Sequence, residues 1–96
     1  MRTLQDIQYT LGAHKVRLFH DYSLKSMAIF GSYLRRENKD ASDLDILVEF
    51  SDKIGIRFID LAEELESIVG FKVDLVSKKA LKPHIGERIL EEVIMI

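Results

Sequence analysis

Cysteine and tryptophan are absent from these 96 residues, proline occurs once, and no apolar run approaches a bilayer-spanning length, roughly 20 residues. Without cysteine there are no disulfides, no thiolate metal sites and no thiol nucleophile, a composition at home in a reducing cytoplasm. The N-terminal stretch carries Arg2, Gln5 and Asp6 and lacks the apolar segment of a signal peptide. An excess of positive charge is missing too. Fourteen Lys and Arg against sixteen Asp and Glu leave a net charge of −2, which weighs against a nucleic-acid partner, because such partners select a basic face. Amide side chains are scarce, one Asn and two Gln, as in thermophile proteins. The expectation is a cytoplasmic protein with no membrane segment.

What is present is globular: 47% apolar and 31% charged residues, enough in one domain spanning 1–96 to bury a core without staples. A first helix is expected from about Leu4 to about His20, opened by Thr3 and Asp6 in a capping-box arrangement, with Leu4, Ile7, Leu11, Leu18 and Phe19 on its apolar stripe. Ser26 to Phe30 reads as a buried strand, and a short helix over Tyr33 to Glu37 leads into the polar loop 38–42. Leu44 to Phe50 alternates as a second strand, with Leu44, Ile46 and Val48 opposed to Asp45, Leu47 and Glu49. Ile56, Ile59, Leu61, Leu65 and Ile68 mark an amphipathic helix stopped by Gly70. Phe71 to Val76 forms a third strand, and after Pro83 a last helix carries Ile85, Ile89, Leu90, Val93 and Ile94. Helices thus alternate with strands, an α+β domain with α/β-type alternation and a small mixed sheet flanked by helices.

Chemistry concentrates at the strand ends. Gly31-Ser32 closes the first strand, ten residues follow, and Asp43-Leu44-Asp45 opens the second. A Gly-Ser turn lets backbone amides approach a phosphate. Residues two apart in a strand share a face, so Asp43 and Asp45 can aim at one point, as a hard divalent cation requires. Asp74 is the one acidic residue of the third strand and joins them if that strand neighbours the second. Three clustered carboxylates repel unless metal neutralises them. The residues alone leave open that Asp43 caps the loop while Asp45 and Asp74 face water.

The run from Met27 through Gly31, Ser32, Tyr33, Leu34, Arg35, Arg36 and Glu37, continued by Ala41 to Phe50, resembles the minimal nucleotidyltransferases of the DNA polymerase β superfamily. Their signature is Gly-Ser, ten residues, then Asp-x-Asp, between two apolar strands; Ser42 before the first Asp matches as well. The third strand with Asp74 and the run from Leu81 to Glu92 extend the similarity along the chain. The resemblance implies a nucleotidyltransferase fold. It assigns Gly31 and Ser32 to the β- and γ-phosphates and Arg35 to triphosphate charge. Asp43, Asp45 and Asp74 become catalytic residues and ligands of two Mg²⁺ ions. It further implies transfer of AMP from ATP to a hydroxyl, the antitoxin role in a toxin–antitoxin pair, and a tyrosine of a HEPN-domain toxin as acceptor.

Leu34 and Arg36 stand where the family more often has Ala and Gly, which gives a second reading: a non-catalytic binding module with a vestigial nucleotide site. A third, nucleotide addition to RNA, is opposed by the acidic balance. His14, His20 and His84 lack metal-ligand spacing. Lys78, Lys79 and Lys82 form a small basic patch, and the apolar tail Val93 to Ile96 offers a homo-oligomer or partner surface. Val93 and Ile94 are expected in the core, and Met95 and Ile96 at that surface.

Overall fold

A computed structural model describes residues 3–30, 44–80 and 93–96. Helix α1, Leu4–Asp21, starts as its sequence dictates: the Thr3 hydroxyl accepts from the Asp6 amide at 3.1 Å, satisfying one orphan donor of the first turn. Ile7, Leu11 and Leu18 are buried, and Leu4 and Phe19 pack at their margin. The turn into the sheet passes through Ser23, a non-glycine residue at φ 52°. Its carbonyl accepts from both the amide and the hydroxyl of Ser51, at 2.8 and 3.1 Å.

Strand β1 covers Leu24–Phe30 and β2 covers Leu44–Phe50. They pair antiparallel, with Ile29 opposite Ile46 and a register shift between Leu24 and Ser26. Strand β1 begins two residues before the expected Ser26, because this irregularity lets Leu24 return to the core while Lys25 stays exposed. Helix α2, Arg57–Val69, follows and ends at Gly70, which takes φ 86° and returns its amide to the Glu66 carbonyl. A left-handed residue is the common helix stop, and glycine adopts it without steric cost. Strand β3, Val73–Ser77, then lies parallel to β2. A helical crossover is what a parallel pair requires. Lys78–Ala80 form a 3₁₀ turn.

The four-stranded sheet has the order β3-β2-β1-β4, where β4 is Ile94–Met95, antiparallel to β1. Met27, Ile29, Leu44, Ile46, Val48 and Val73 turn one face of the sheet toward the buried side chains of α1 and α2, closing a single core. The expected mixed sheet flanked by helices is therefore present.

Three expectations change. Ile56 and Ile59, expected on the buried stripe of the second helix, are 84% and 61% exposed; Leu61 and Leu65 are buried, with Phe58, Ile68 and Val69 beside them. Ile56 precedes the helix, and in its first turn Phe58 takes the core-facing position, edge-on against Phe50, which leaves Ile59 on the outer side. Ile94 is in a strand, not a helix, because consecutive β-branched and apolar side chains fit a pleated edge better than a helix surface. Ile96 packs on the core and its amide donates to the Met27 carbonyl at 2.9 Å, leaving Met95 as the exposed residue of the tail. The short helix expected over 33–37 and most of the last helix lie outside the described residues. Among the described residues no helix is long and apolar enough to cross a membrane.

Candidate functional site

The second face of the sheet carries the chemistry. Alternation along β2 sends Leu44, Ile46 and Val48 to the core and Asp45, Leu47 and Glu49 to the opposite face. The parallel register pairs Asp45 with Asp74, Leu47 with Val76, and the flanking Leu44 with Val73. Neighbouring strands lie about 4.8 Å apart, so the Asp45 and Asp74 carboxylates emerge side by side on one face. Asp45 is half-buried and Asp74 exposed. On the other flank Phe30 is the register partner of Asp45. The ends of the segment 31–43, at Phe30 and Leu44, thus meet around Asp45.

Two adjacent carboxylates with an open side suit a hard divalent cation, which takes one or two carboxylates and fills its remaining positions with water or phosphate oxygen. Asp45 and Asp74 fit that requirement by residue type and by register. Among the described residues no group of three His, Cys, Asp or Glu could hold a metal. Gly31, Ser32, Arg35 and Asp43 lie outside the described residues. The condition set on Asp74, that its strand neighbour β2, is met.

Further along the same face, Ala28 and Leu47 are buried although they lie outside the core cluster. A polar row follows: Ser26 Oγ donates to Glu49 Oε1 at 3.4 Å, and Lys78 Nζ lies 3.7 Å from the same oxygen. Lys78, read as a member of a basic patch, is therefore ion-paired. His20 lies 3.2 Å from Asp21, and His14 contacts Arg17, neither in a metal-like arrangement.

A second polar cluster, without a local signature in the chain, supports the opposite end of the sheet. The buried Tyr22 phenol donates to Glu64 Oε1 at 2.8 Å across 42 residues of chain. Arg17 pairs with Glu64, while Arg57 donates to the Asp21 carbonyl and lies 5.0 Å over the Tyr22 ring. Burial first, then the hydrogen bond and charge of Glu64, push the Tyr22 pKa up to about 12. A tyrosine that keeps its proton this firmly is a structural donor.

Comparison with known proteins places these observations. The family model described as Polymerase beta, Nucleotidyltransferase matches residues 16–96. The protein adenylyltransferase MntA of Thermococcus cleftensis is 42% identical over 97 residues, covering 100% of this chain and 98% of that protein. A solved structure provisionally identified as a minimal nucleotidyltransferase superposes with a TM-score of 0.84 at 30% identity, over 99% of this chain and 97% of the other. A toxin–antitoxin structure with AMP-PNP reaches a TM-score of 0.70 at 26% identity, covering 86% of this chain and 69% of that one.

Proposed function

This chain belongs to the Polymerase beta nucleotidyltransferase family and is a nucleotidyltransferase of the protein adenylyltransferase type, and from that premise we propose that it moves AMP from ATP onto a hydroxyl of a partner protein. The observation that carries the reading is the register pairing of Asp45 with Asp74 on the sheet face opposite the helices. The partner is a toxin of the HEPN type and the acceptor hydroxyl a tyrosine, so that the chain serves as the antitoxin; the similarity to a toxin–antitoxin structure holding a nucleotide analogue supports this pairing.

Residues 1–96 act as one catalytic domain. Gly31 and Ser32 present amides and a hydroxyl to the β- and γ-phosphates, and Arg35 offsets triphosphate charge. Asp43, Asp45 and Asp74 hold Mg²⁺, which when bound stabilises the oxygens entering and leaving the α-phosphorus. Asp74, on the outer strand, accepts the proton of the acceptor hydroxyl. The hydroxyl oxygen bonds to the α-phosphorus, the bond from that phosphorus to the bridging oxygen breaks, and pyrophosphate leaves with the electron pair. AMP remains on the acceptor.

The test compares α- with γ-labelled ATP in the presence of Mg²⁺ and the HEPN-type partner, using the native chain and Asp45→Asn. Label from the α position alone, lost in the variant, is expected. Label from the γ position identifies a kinase instead. No label, with partner inhibition intact, identifies a binding module.

A further inference from the structure

Among the described residues, the strand that carries Asp74 is one of the two edges of the sheet. In the order β3-β2-β1-β4, β3 has a neighbour on one side alone among the described residues. The Lys72 carbonyl accepts from the Leu44 amide at 3.1 Å, so by alternation the backbone groups of Lys72, Asp74 and Val76 turn toward β2, and those of Val73, Leu75 and Ser77 turn outward. The outward amide of Val73 is already taken, donating to Glu66 Oε2 at 2.9 Å. The Ser77 carbonyl opens the 3₁₀ turn Lys78–Ala80, which leaves the outward amide and carbonyl of Leu75 and the outward amide of Ser77 facing away from β2. An open row of donors and acceptors is a template for another strand.

We propose that the acceptor segment of the partner docks as an added antiparallel strand on this edge, its hydroxyl-bearing residue opposite Asp74. The inference rests on the adenylyl-transfer reading and specifies how the acceptor reaches the site. Directly opposed residues of an antiparallel pair have Cβ atoms about 5 Å apart on the same face. Pairing on β3 therefore delivers a side chain beside Asp74, on the face that Asp45 shares. Charge selects the occupant. Lys72, Asp74 and Val76 alternate onto that face, and Lys78, in the turn that follows, reaches Glu49 on it; Lys72 is exposed and the Lys78 side chain remains 42% exposed. A segment matching this row has acids opposite the two lysines, an apolar residue opposite Val76, and the hydroxyl opposite Asp74. Read from its own N-terminus, it is acid, any residue, apolar, any residue, tyrosine, any residue, acid. Basic segments are repelled by the same two lysines.

The probe is a seven-residue peptide of that design, at millimolar concentration, with Mg²⁺ and AMP-PNP for binding or α-labelled ATP for transfer. Amide hydrogen exchange of the native chain is expected to slow at least tenfold at Leu75 and Ser77 when the peptide is added. Ser77→Pro removes one outward donor, leaves the ladder to β2 intact and is expected to raise the KM for the peptide at least tenfold, with AMP-PNP affinity unchanged. If the variant does not fold, the exchange measurement on the native chain decides alone. Transfer without protection at these amides overturns the docking and spares the transfer reading. Protection without transfer supports the docking and overturns the transfer reading. Protection that rises with protein concentration in the absence of peptide identifies a second copy of the chain as the occupant, and overturns the proposal.

Discussion

Asp45 and Asp74 are register partners on adjacent parallel strands, one half-buried and the other exposed, and no intervening residue separates their carboxylates across the ladder. Like charges directly opposed on a sheet face oppose folding by about 0.2–1 kcal/mol. Asp74→Asn is therefore expected to raise stability by a few tenths of a kcal/mol in chelator and to reduce adenylyl transfer at least 100-fold. Mg²⁺ should raise the Tm of the native chain and leave that of the variant nearly unmoved. Scanning calorimetry with and without Mg²⁺, beside a transfer assay, checks both halves; a variant destabilised in chelator contradicts the repulsion.

Tyr22 predicts the alkaline limit of stability. Burial and Glu64 hold its pKa up at about 12 against an ordinary 10, so the folded state favours the protonated phenol. The sign follows: this contribution is complete below pH 10 and is lost as pH rises toward 12. Tyr22→Phe should lower stability at pH 8 by about 1.5–3 kcal/mol, the worth of a hydrogen bond to a charged group. Its stability should then fall less than that of the native chain between pH 10 and 12. Urea unfolding at pH 8 and 11 makes the comparison.

At the turn from α1 to β1, Ser23 occupies the left-handed region while its carbonyl serves Ser51 twice. Replacing it with glycine removes the steric cost and keeps the carbonyl. Ser23→Gly is expected to stabilise by up to about 1 kcal/mol, and Ser23→Val to destabilise by more than that. Thermal unfolding of the two variants should move in opposite directions.

Exposure separates the isoleucines at the start of α2 from the leucines behind them. Leu61→Ala, at a fully buried site, should cost about 2–5 kcal/mol. Ile56→Ser, at a site 84% exposed, should change stability by no more than about 0.5 kcal/mol. Denaturant midpoints of the two variants measure the contrast.

Strand β2 was legible to its end residues because strict alternation and a polar loop bound it. The capping of α1 by Thr3 and its buried stripe were legible for the same local reason. The Asp45–Asp74 pairing needed one further fact, the adjacency of β2 and β3, which periodicity does not encode. The Tyr22–Glu64 bond lies further out of reach, since it joins residues 42 apart through the packing of two helices. Ile56 and Ile94 misled for opposite reasons: one repeats at helical spacing without a surface to cover, the other continues a helical pattern after the chain has turned into a strand. Gly31, Ser32, Arg35 and Asp43 rest on motif spacing.

Strand β2 joins two poles with different duties. Asp45 stands at one end; at the other, Phe50 meets Phe58 edge-on at a centroid distance of 6.1 Å, next to the Ser23 turn and the Tyr22 cluster. Five residue steps along the strand, about 17 Å, separate them. Mutations that silence the carboxylate pole therefore leave the girders of the domain standing. The fold and the proposed chemistry are thus separable by a single substitution at the carboxylate pole.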